Sequence, residues 1–196
     1  MTKTLLLASQ SPRRAELLAQ IGVPFEVVRI DVPEQRGEAE LPQDYVQRLA
    51  QDKAREGARL YPSAVVLGAD TLVECQGQVL EKPRNADHAQ AMLALLSGRT
   101  HQVHTAVAVC KANELHSVLV TSAVTFRVIT DDEAARYWAT GEPCDKAGGY
   151  GIQGFGGVFV EHLEGSYSAV MGLPVAQTQQ LLSQLGLPYW QAPETL

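Results

Sequence analysis

Residues 5–14 read Leu5-Leu6-Leu7-Ala8-Ser9-Gln10-Ser11-Pro12-Arg13-Arg14. The apolar first part is typical of a buried strand, and the polar second part is typical of the start of a helix. Ser11 is favoured at a helix N-cap, and Pro12 suits the first helical position, where no N–H is needed. The N–H groups of a first helical turn attract anions, and the forked donors of Arg13 and Arg14 match phosphate oxygens. The junction predicts a phosphate site; the alternative is a solvent-exposed first turn.

The chain has 196 residues, of which 45% are hydrophobic and 19% are charged. These values are typical of a globular protein of one domain or two small lobes. The net charge of -6 argues against a general nucleic-acid binder, which normally presents a basic face. No apolar run approaches the roughly 20 residues needed to cross a bilayer, and the apolar start is too short for a signal peptide. We therefore expect neither a nucleic-acid partner nor a membrane partner.

The three cysteines are Cys75, Cys110 and Cys144. They are odd in number, far apart and without the paired spacing of a metal site. This pattern indicates reduced thiols, the state that the cytosol maintains. A catalytic cysteine is the alternative.

Apolar periodicity alternates between strand-like and helix-like segments along most of the chain, which predicts an α/β fold. The predicted helices span 12–20, 42–60, 86–96, 131–139 and 174–185. The predicted strands span 5–8, 25–28, 64–69, a hairpin over 72–83, an antiparallel pair over 103–110 and 115–129, and 158–160. The segment 145–157 is rich in glycine and predicts a loop whose backbone comes close to another group.

Two residues stand out where this pattern places charge next to apolar sequence. Asp70 follows the apolar strand 64–69, and α/β folds hold their reactive groups at the carboxyl ends of strands; the alternative is an N-cap or turn aspartate. Lys53 falls on the apolar stripe of the helix 42–60, so it either extends outwards or reaches a buried anion. Glu34, in a polar loop, and Lys82, before a proline, are each compatible with a plain surface position.

Taken together, the chain offers a helix start with two arginines, two lysines and two carboxylates able to hold a divalent cation. Hydrolysis of a phosphoanhydride needs such groups, because positive charge must offset the charge of the leaving phosphates and a carboxylate must orient or deprotonate water. No Walker-type glycine-rich loop is present. The residues therefore predict a phosphoanhydride hydrolase of another class.

Five motifs, in this order along residues 5–185, resemble the Maf family of nucleoside triphosphate pyrophosphatases. They are Ser9-x-Ser11-Pro12-Arg13-Arg14, Leu49-Ala50-x-x-Lys53-Ala54, Gly68-Ala69-Asp70-Thr71, Glu81-Lys82-Pro83 and Asp145-Lys146-Ala147-Gly148-x-Tyr150-x-Ile152-Gln153. The resemblance implies a single domain over 1–196 with a mixed α/β fold: a long twisted sheet flanked by helices, with two lobes around a cleft, similar to inosine triphosphate pyrophosphatases.

The resemblance also implies roles for individual residues. The implied catalytic residues are Asp70 as proton acceptor, Lys82, Lys53 and Glu34, and the implied substrate-binding residues are Ser9, Arg13, Arg14, Thr71 and Gln153. Glu34 and Asp70 are the implied ligands of a divalent metal, Mg²⁺ or Mn²⁺. Arg13, Thr71 and Gln153 match the positions that separate the family branch acting on dTTP and UTP from the branch acting on 7-methyl-GTP.

The expected activity is therefore hydrolysis of dTTP and UTP to the monophosphate and pyrophosphate by a cytoplasmic homodimer, in a house-cleaning or division-arrest role. The amide of Gln153 complements this expectation, because it can pair with the N3 donor and carbonyl acceptor of uracil or thymine. Two alternatives stay open: the same reaction on 7-methyl-GTP, and a non-catalytic nucleotide-binding regulator of septum formation.

Overall fold

The computed structural model describes residues 4–191. The strands in this range are β1 Leu5–Ala8, β2 Glu26–Val28, β3 Val65–Cys75, β4 Gln78–Leu80, β5 Thr100–Lys111, β6 Glu114–Phe126 and β7 Val160–Glu164. The helices are α1 Pro12–Gln20, α2 Pro42–Leu60, α3 Ala86–Leu96, α4 Asp131–Ala139, α5 Tyr167–Met171 and α6 Val175–Gln184. Short 3₁₀ turns span Glu142–Asp145, Ala147–Gly149 and Phe155–Phe159.

The strands form one mixed sheet in the order β2-β1-β3-β5-β6-β7, with β4 paired to β3. β1 is parallel to both β2 and β3, whereas β3–β4 and β6–β7 are antiparallel. A parallel pair needs a long crossover, and α1 and α2 supply the two crossovers around β1. The predicted α/β class with a mixed sheet is confirmed.

The chain divides into two compact units. The first comprises the described parts of Met1–Asp70, Thr105–Val120 and Gly172–Leu196, and the second comprises Thr71–His104 and Thr121–Met171. The first buries apolar residues of β1, α2 and the start of β3, among them Leu7, Leu49 and Leu67. The second packs its own cluster around Phe126 and Tyr137. The two predicted lobes correspond to these units, and the cleft stays a prediction.

Local signals set most element boundaries. Ser11 is the N-cap of α1 and Pro12 its first residue, as predicted, but the Ser11 side chain makes no capping hydrogen bond. Asn85 caps α3 by accepting the His88 N–H at 2.9 Å. Thr130 and Glu133 form the capping box that the sequence of α4 predicts. No helix within residues 4–191 is long and apolar enough to cross a membrane.

Several predicted strand boundaries are wrong, and the most important concerns β3. The strand does not end before Asp70 but continues to Cys75. Its parallel pairing with β1 ends at Gly68, and from Val73 onwards it pairs with β4 instead. β6 ends at Phe126 rather than at 129, and β7 begins at Val160 because a 3₁₀ turn takes the residues before it.

Candidate active site

The first unit brings together predicted residues that are far apart in the chain. Ala8, the last residue of β1, pairs with the last residue of β2 and with Gly68 of β3. Because the three strands are parallel, the chain leaves β1 and β2 at the same edge of the sheet. Ser9 follows β1 at this edge, the loop with Glu34 follows β2, and Asp70 lies just beyond the pairing of β3 with β1. This edge is where α/β folds hold their ligands.

Lys53 links the two carboxylates predicted to hold a metal. Its Nζ lies 2.8 Å from Asp70 Oδ1 and 2.7 Å from Glu34 Oε1. The side chains of Lys53 and Asp70 are 11% and 17% exposed, whereas that of Glu34 is 57% exposed. Of the two alternatives for the lysine on the apolar stripe of α2, the structure has the one in which it reaches a mostly buried anion, Asp70, and it also contacts the more exposed carboxylate of Glu34.

Close packing of α2 on β3 positions this ion pair. Gly68 and Asp70 lie on the same face of β3, because alternate residues of a strand share a face. A Cβ on Gly68 would overlap the Ala50 carbonyl oxygen and lie 2.8 Å from Ala54 N. Only glycine lets the helix backbone approach this closely, and Lys53 then stands beside Asp70.

The start of α1 is held by hydrogen bonds within the first unit. Arg14 Nε donates to the Gly172 carbonyl oxygen at 2.8 Å, and its Nη1 donates to Ser9 Oγ at 3.0 Å. Ser9 Oγ also accepts the Ser11 N–H at 3.2 Å. Burial lowers the pKa of Arg14, and Asp70 acts in the opposite direction. Arg14 therefore has protein acceptors and supports the junction itself, in addition to its predicted contact with phosphate.

The remaining predicted residues stand in different surroundings. Arg13 of the first unit is partly buried. In the second unit, Thr71 is partly buried, and Lys82 and Gln153 are exposed. Gln153 occupies the third position of a turn that the Gly154 N–H closes by donating to the Gly151 carbonyl oxygen at 3.2 Å. Its amide is therefore presented at the tip of a tight turn.

Within the second unit, the motif around Lys82 meets the glycine-rich segment. The Gly148 N–H donates to the Glu81 carbonyl oxygen at 3.2 Å. Gly148 has a φ of +73°, and a Cβ there would lie 2.9 Å from Val73 Cγ2. The positive φ and the close contact with Val73 both require glycine at position 148.

Two residues of the second unit that contact the Gln153 turn were missed from the sequence. Glu142 and Tyr137 hydrogen-bond its flanking backbone. No periodicity or spacing marks them, and the cluster of glycines downstream is the one signal that something packs closely there.

Glu34 and Asp70 are the residues whose carboxylates could hold the divalent metal expected from the sequence. One oxygen of each carboxylate, Asp70 Oδ1 and Glu34 Oε1, contacts the Lys53 ammonium. Within residues 4–191 no group of three or more His, Cys, Asp and Glu side chains could hold a metal. Two carboxylates suit Mg²⁺ in particular, because this ion commonly takes one or two protein carboxylates together with waters and substrate phosphates.

Comparison with known proteins agrees with the motifs. A protein of Vibrio vulnificus (strain YJ016), named dTTP/UTP pyrophosphatase, is 55% identical over 181 residues, which cover 92% of this chain and 97% of the relative. A protein of Saccharophagus degradans with the same name is 57% identical over 192 residues, covering 95% and 91%. The chain is also similar to a solved nucleoside-triphosphatase, dITP/XTP pyrophosphatase, of Mycobacterium abscessus. That similarity has a TM-score of 0.47 at 20% identity and covers 93% of this chain and 98% of the other.

The sequence profile described as Maf-like protein matches residues 4–185. The matched residues run from the start of β1 to just after the end of α6, and they include all five motifs. With relatives more than half identical over nearly their whole length, the chain belongs to the Maf family.

Proposed function

We propose that the protein hydrolyses dTTP and UTP to the nucleoside monophosphate and pyrophosphate. The names of the relatives, which are dTTP/UTP pyrophosphatases, support the substrates. The observation that carries the proposal is the Lys53 ammonium bound to the Asp70 and Glu34 carboxylates at the carboxyl edge of β1 and β3. A protein that only bound nucleotide would have no need of a mostly buried aspartate there.

In the proposed reaction, Asp70 accepts a proton from the water whose oxygen attacks the α phosphorus. The bond from that phosphorus to the bridging oxygen breaks, and pyrophosphate leaves with the bonding electrons. Lys53 fixes the positions of the Asp70 and Glu34 carboxylates through its 2.8 and 2.7 Å contacts. Arg13 and Lys82 offset the charge that develops on the leaving phosphates.

Glu34 and Asp70 are the residues that would hold Mg²⁺ or Mn²⁺, whose oxygen ligands they match. When bound, such an ion neutralises phosphate charge and polarises the phosphoryl group. The proposal further includes a cytoplasmic location and a homodimer, without nucleic-acid or membrane partners.

The base is selected in this proposal by Gln153, with Arg13 and Thr71. A glutamine amide matches the edge of uracil or thymine, whose N3 donor lies between two carbonyl acceptors. Cytosine is the weaker match, and a purine brings a larger ring than a pyrimidine. Of the two branches of the Maf family, the names of the relatives favour the one that acts on dTTP and UTP over the one that acts on 7-methyl-GTP.

The test is a side-by-side assay of purified protein with Mg²⁺ and dTTP, UTP, CTP, dGTP and 7-methyl-GTP, with pyrophosphate and orthophosphate measured separately. We expect pyrophosphate as the first product and dTTP and UTP as the best substrates. Orthophosphate with nucleoside diphosphate would contradict the bond assignment. A preference for 7-methyl-GTP would overturn the branch, and no turnover of any nucleotide would favour the binding regulator.

A further inference from the structure

The turn that presents Gln153 is held on both sides by one pair of side chains. Before the turn, the Gly151 N–H donates to Tyr137 Oη at 3.0 Å. After it, the Phe155 N–H donates to Glu142 Oε2 at 2.8 Å and the Gly156 N–H donates to Glu142 Oε1 at 3.0 Å. The Tyr137 hydroxyl in turn donates to Glu142 Oε1 at 2.7 Å. These contacts form a closed set, which we call the Glu142–Tyr137 clamp.

The glycines around Gln153 fit this clamp closely. A Cβ on Gly154 would overlap Glu142 Oε2 and lie 2.6 Å from its Cδ. A Cβ on Gly156 would lie 2.6 Å from Tyr137 Oη. The groups to which this glycine-rich backbone comes close are therefore a carboxylate and a phenol of the same unit.

The two clamp residues are themselves anchored. Tyr137 is 4% exposed and packs edge-on against the Phe159 ring, with centroids 5.2 Å apart. The Glu142 carbonyl oxygen accepts from Lys146 Nζ at 2.7 Å. Burial raises the pKa of the Glu142 carboxyl, but its hydrogen bonds from Tyr137, Gly156 and Phe155 outweigh this effect and leave the pKa lowered. The clamp is therefore a fixed acceptor for the donors around it.

We propose that Glu142 and Tyr137 are positioning residues that set the base preference by fixing the Gln153 turn. This inference rests on the proposed function, in which Gln153 reads the base. Neither residue has to touch the substrate. A fixed turn presents the Gln153 amide in one place without an ordering cost on binding, and such pre-organisation sharpens discrimination between bases.

The test compares Glu142→Gln and Tyr137→Phe with wild type, by kcat and KM for dTTP and dGTP. The glutamine replaces one acceptor oxygen by an NH₂ group that faces donors, and the phenylalanine removes both the acceptor for Gly151 and the donor to Glu142. We expect KM for dTTP to rise more than kcat falls. The preference for dTTP over dGTP in kcat/KM should drop about tenfold, which corresponds to the loss of one good hydrogen bond.

Two comparisons separate positioning from simple loss of stability. Glu74→Gln is the matched control, since Glu74 is a second-unit carboxylate, 23% exposed, that binds His104 instead of the turn; it should keep the base preference. In a Gln153→Ala background, Glu142→Gln should cause no further loss of preference, because the residue through which it acts is gone.

The outcomes distinguish this inference from the proposed function. Wild-type protein that releases no pyrophosphate from dTTP or UTP would defeat the proposed function. If wild type is active and Glu142→Gln keeps the full preference for dTTP over dGTP, the positioning role is wrong. The same holds if Glu142→Gln lowers this preference as much in the Gln153→Ala background as it does alone. In both cases the reaction assignment stands.

Discussion

Replacing Lys53 by methionine removes the ammonium that two carboxylates share while keeping a side chain of similar length. Breaking a fully buried ion pair costs about 3–5 kcal/mol, and an exposed pair contributes about 0.2–1 kcal/mol. The Lys53–Asp70 pair, whose side chains are 11% and 17% exposed, is close to the buried case. The Lys53–Glu34 pair is close to the exposed case. Allowing for partial exposure and for the apolar gain from methionine, we expect Lys53→Met to lower the free energy of unfolding by about 2 kcal/mol.

A double-mutant cycle with Asp70→Asn assigns this loss to the pair. The introduced asparagine would keep an oxygen that can accept from Lys53, so we expect the single Asp70→Asn change to cost about 1 kcal/mol. With both changes, neither partner of the former Lys53–Asp70 pair carries a charge. The double variant should therefore be at least as stable as Lys53→Met alone, which gives a coupling energy of about 1 kcal/mol or more.

The measurement is urea unfolding followed by circular dichroism, with equal slopes for all variants as the check on two-state behaviour. Glu34→Gln is the matched control and should cost less than about 1 kcal/mol. Wild-type stability in Lys53→Met, or strictly additive losses in the double variant, would show that the Lys53–Asp70 ion pair does not stabilise the fold.

Three further changes test other parts of the structure. Asp70→Asn should lower pyrophosphate release by about 10²-fold or more, because it removes the proton acceptor, and near-normal turnover would remove Asp70 from that role. Gly68→Ala should destabilise the protein by about 1–3 kcal/mol through overpacking of α2 against β3 and should lower activity by shifting Lys53; Gly37→Ala, where the nearest atom is Glu40 Cβ at 3.5 Å, should do neither. Burial lowers the pKa of His101 from 6.5 to about 4, and the unfolded chain takes up that proton first. Neutral His101 therefore makes its full contribution to the free energy of unfolding above pH 6.5. This contribution falls as the pH drops from 6.5 towards 4, by about 1.4 kcal/mol for each unit of difference between the two pKa values. Urea unfolding from pH 7.5 to 4.5 should show this fall in wild type and a flatter profile in His101→Gln, and identical profiles would contradict it.

The parts of the fold that depend on neighbours in the chain were predictable. α1 and α2 have the predicted bounds, because apolar spacing and prolines at their starts act within a few residues. The lysine on the apolar stripe of α2 was recognisable from the sequence, although its direction, outwards or towards a buried anion, was left open. A cation among buried residues requires an anion, and Asp70 and Glu34 are the anions that the structure places there.

The parts that depend on contacts through space were not predictable. The apolar run before Asp70 resembles a complete strand, and its continuation to Cys75 depends on neighbouring strands, β5 and, from Val73 onwards, β4. The Glu142–Tyr137 clamp joins residues that share no pattern with the turn they hold. Glycine content reveals that a close approach occurs, while the identity of the approaching group is a property of the folded chain.

The 3₁₀ turn Glu142–Asp145 carries one more feature, the exposed thiol of Cys144, two residues from the clamp carboxylate. Cys75 and Cys110 are buried, and burial raises the pKa of both thiols, which suppresses the reactive thiolate. A maleimide dye added to the native protein should therefore attach at Cys144 alone. Such a label needs no engineered cysteine, and a change in its fluorescence on addition of dTTP would test whether nucleotide reaches the Gln153 turn.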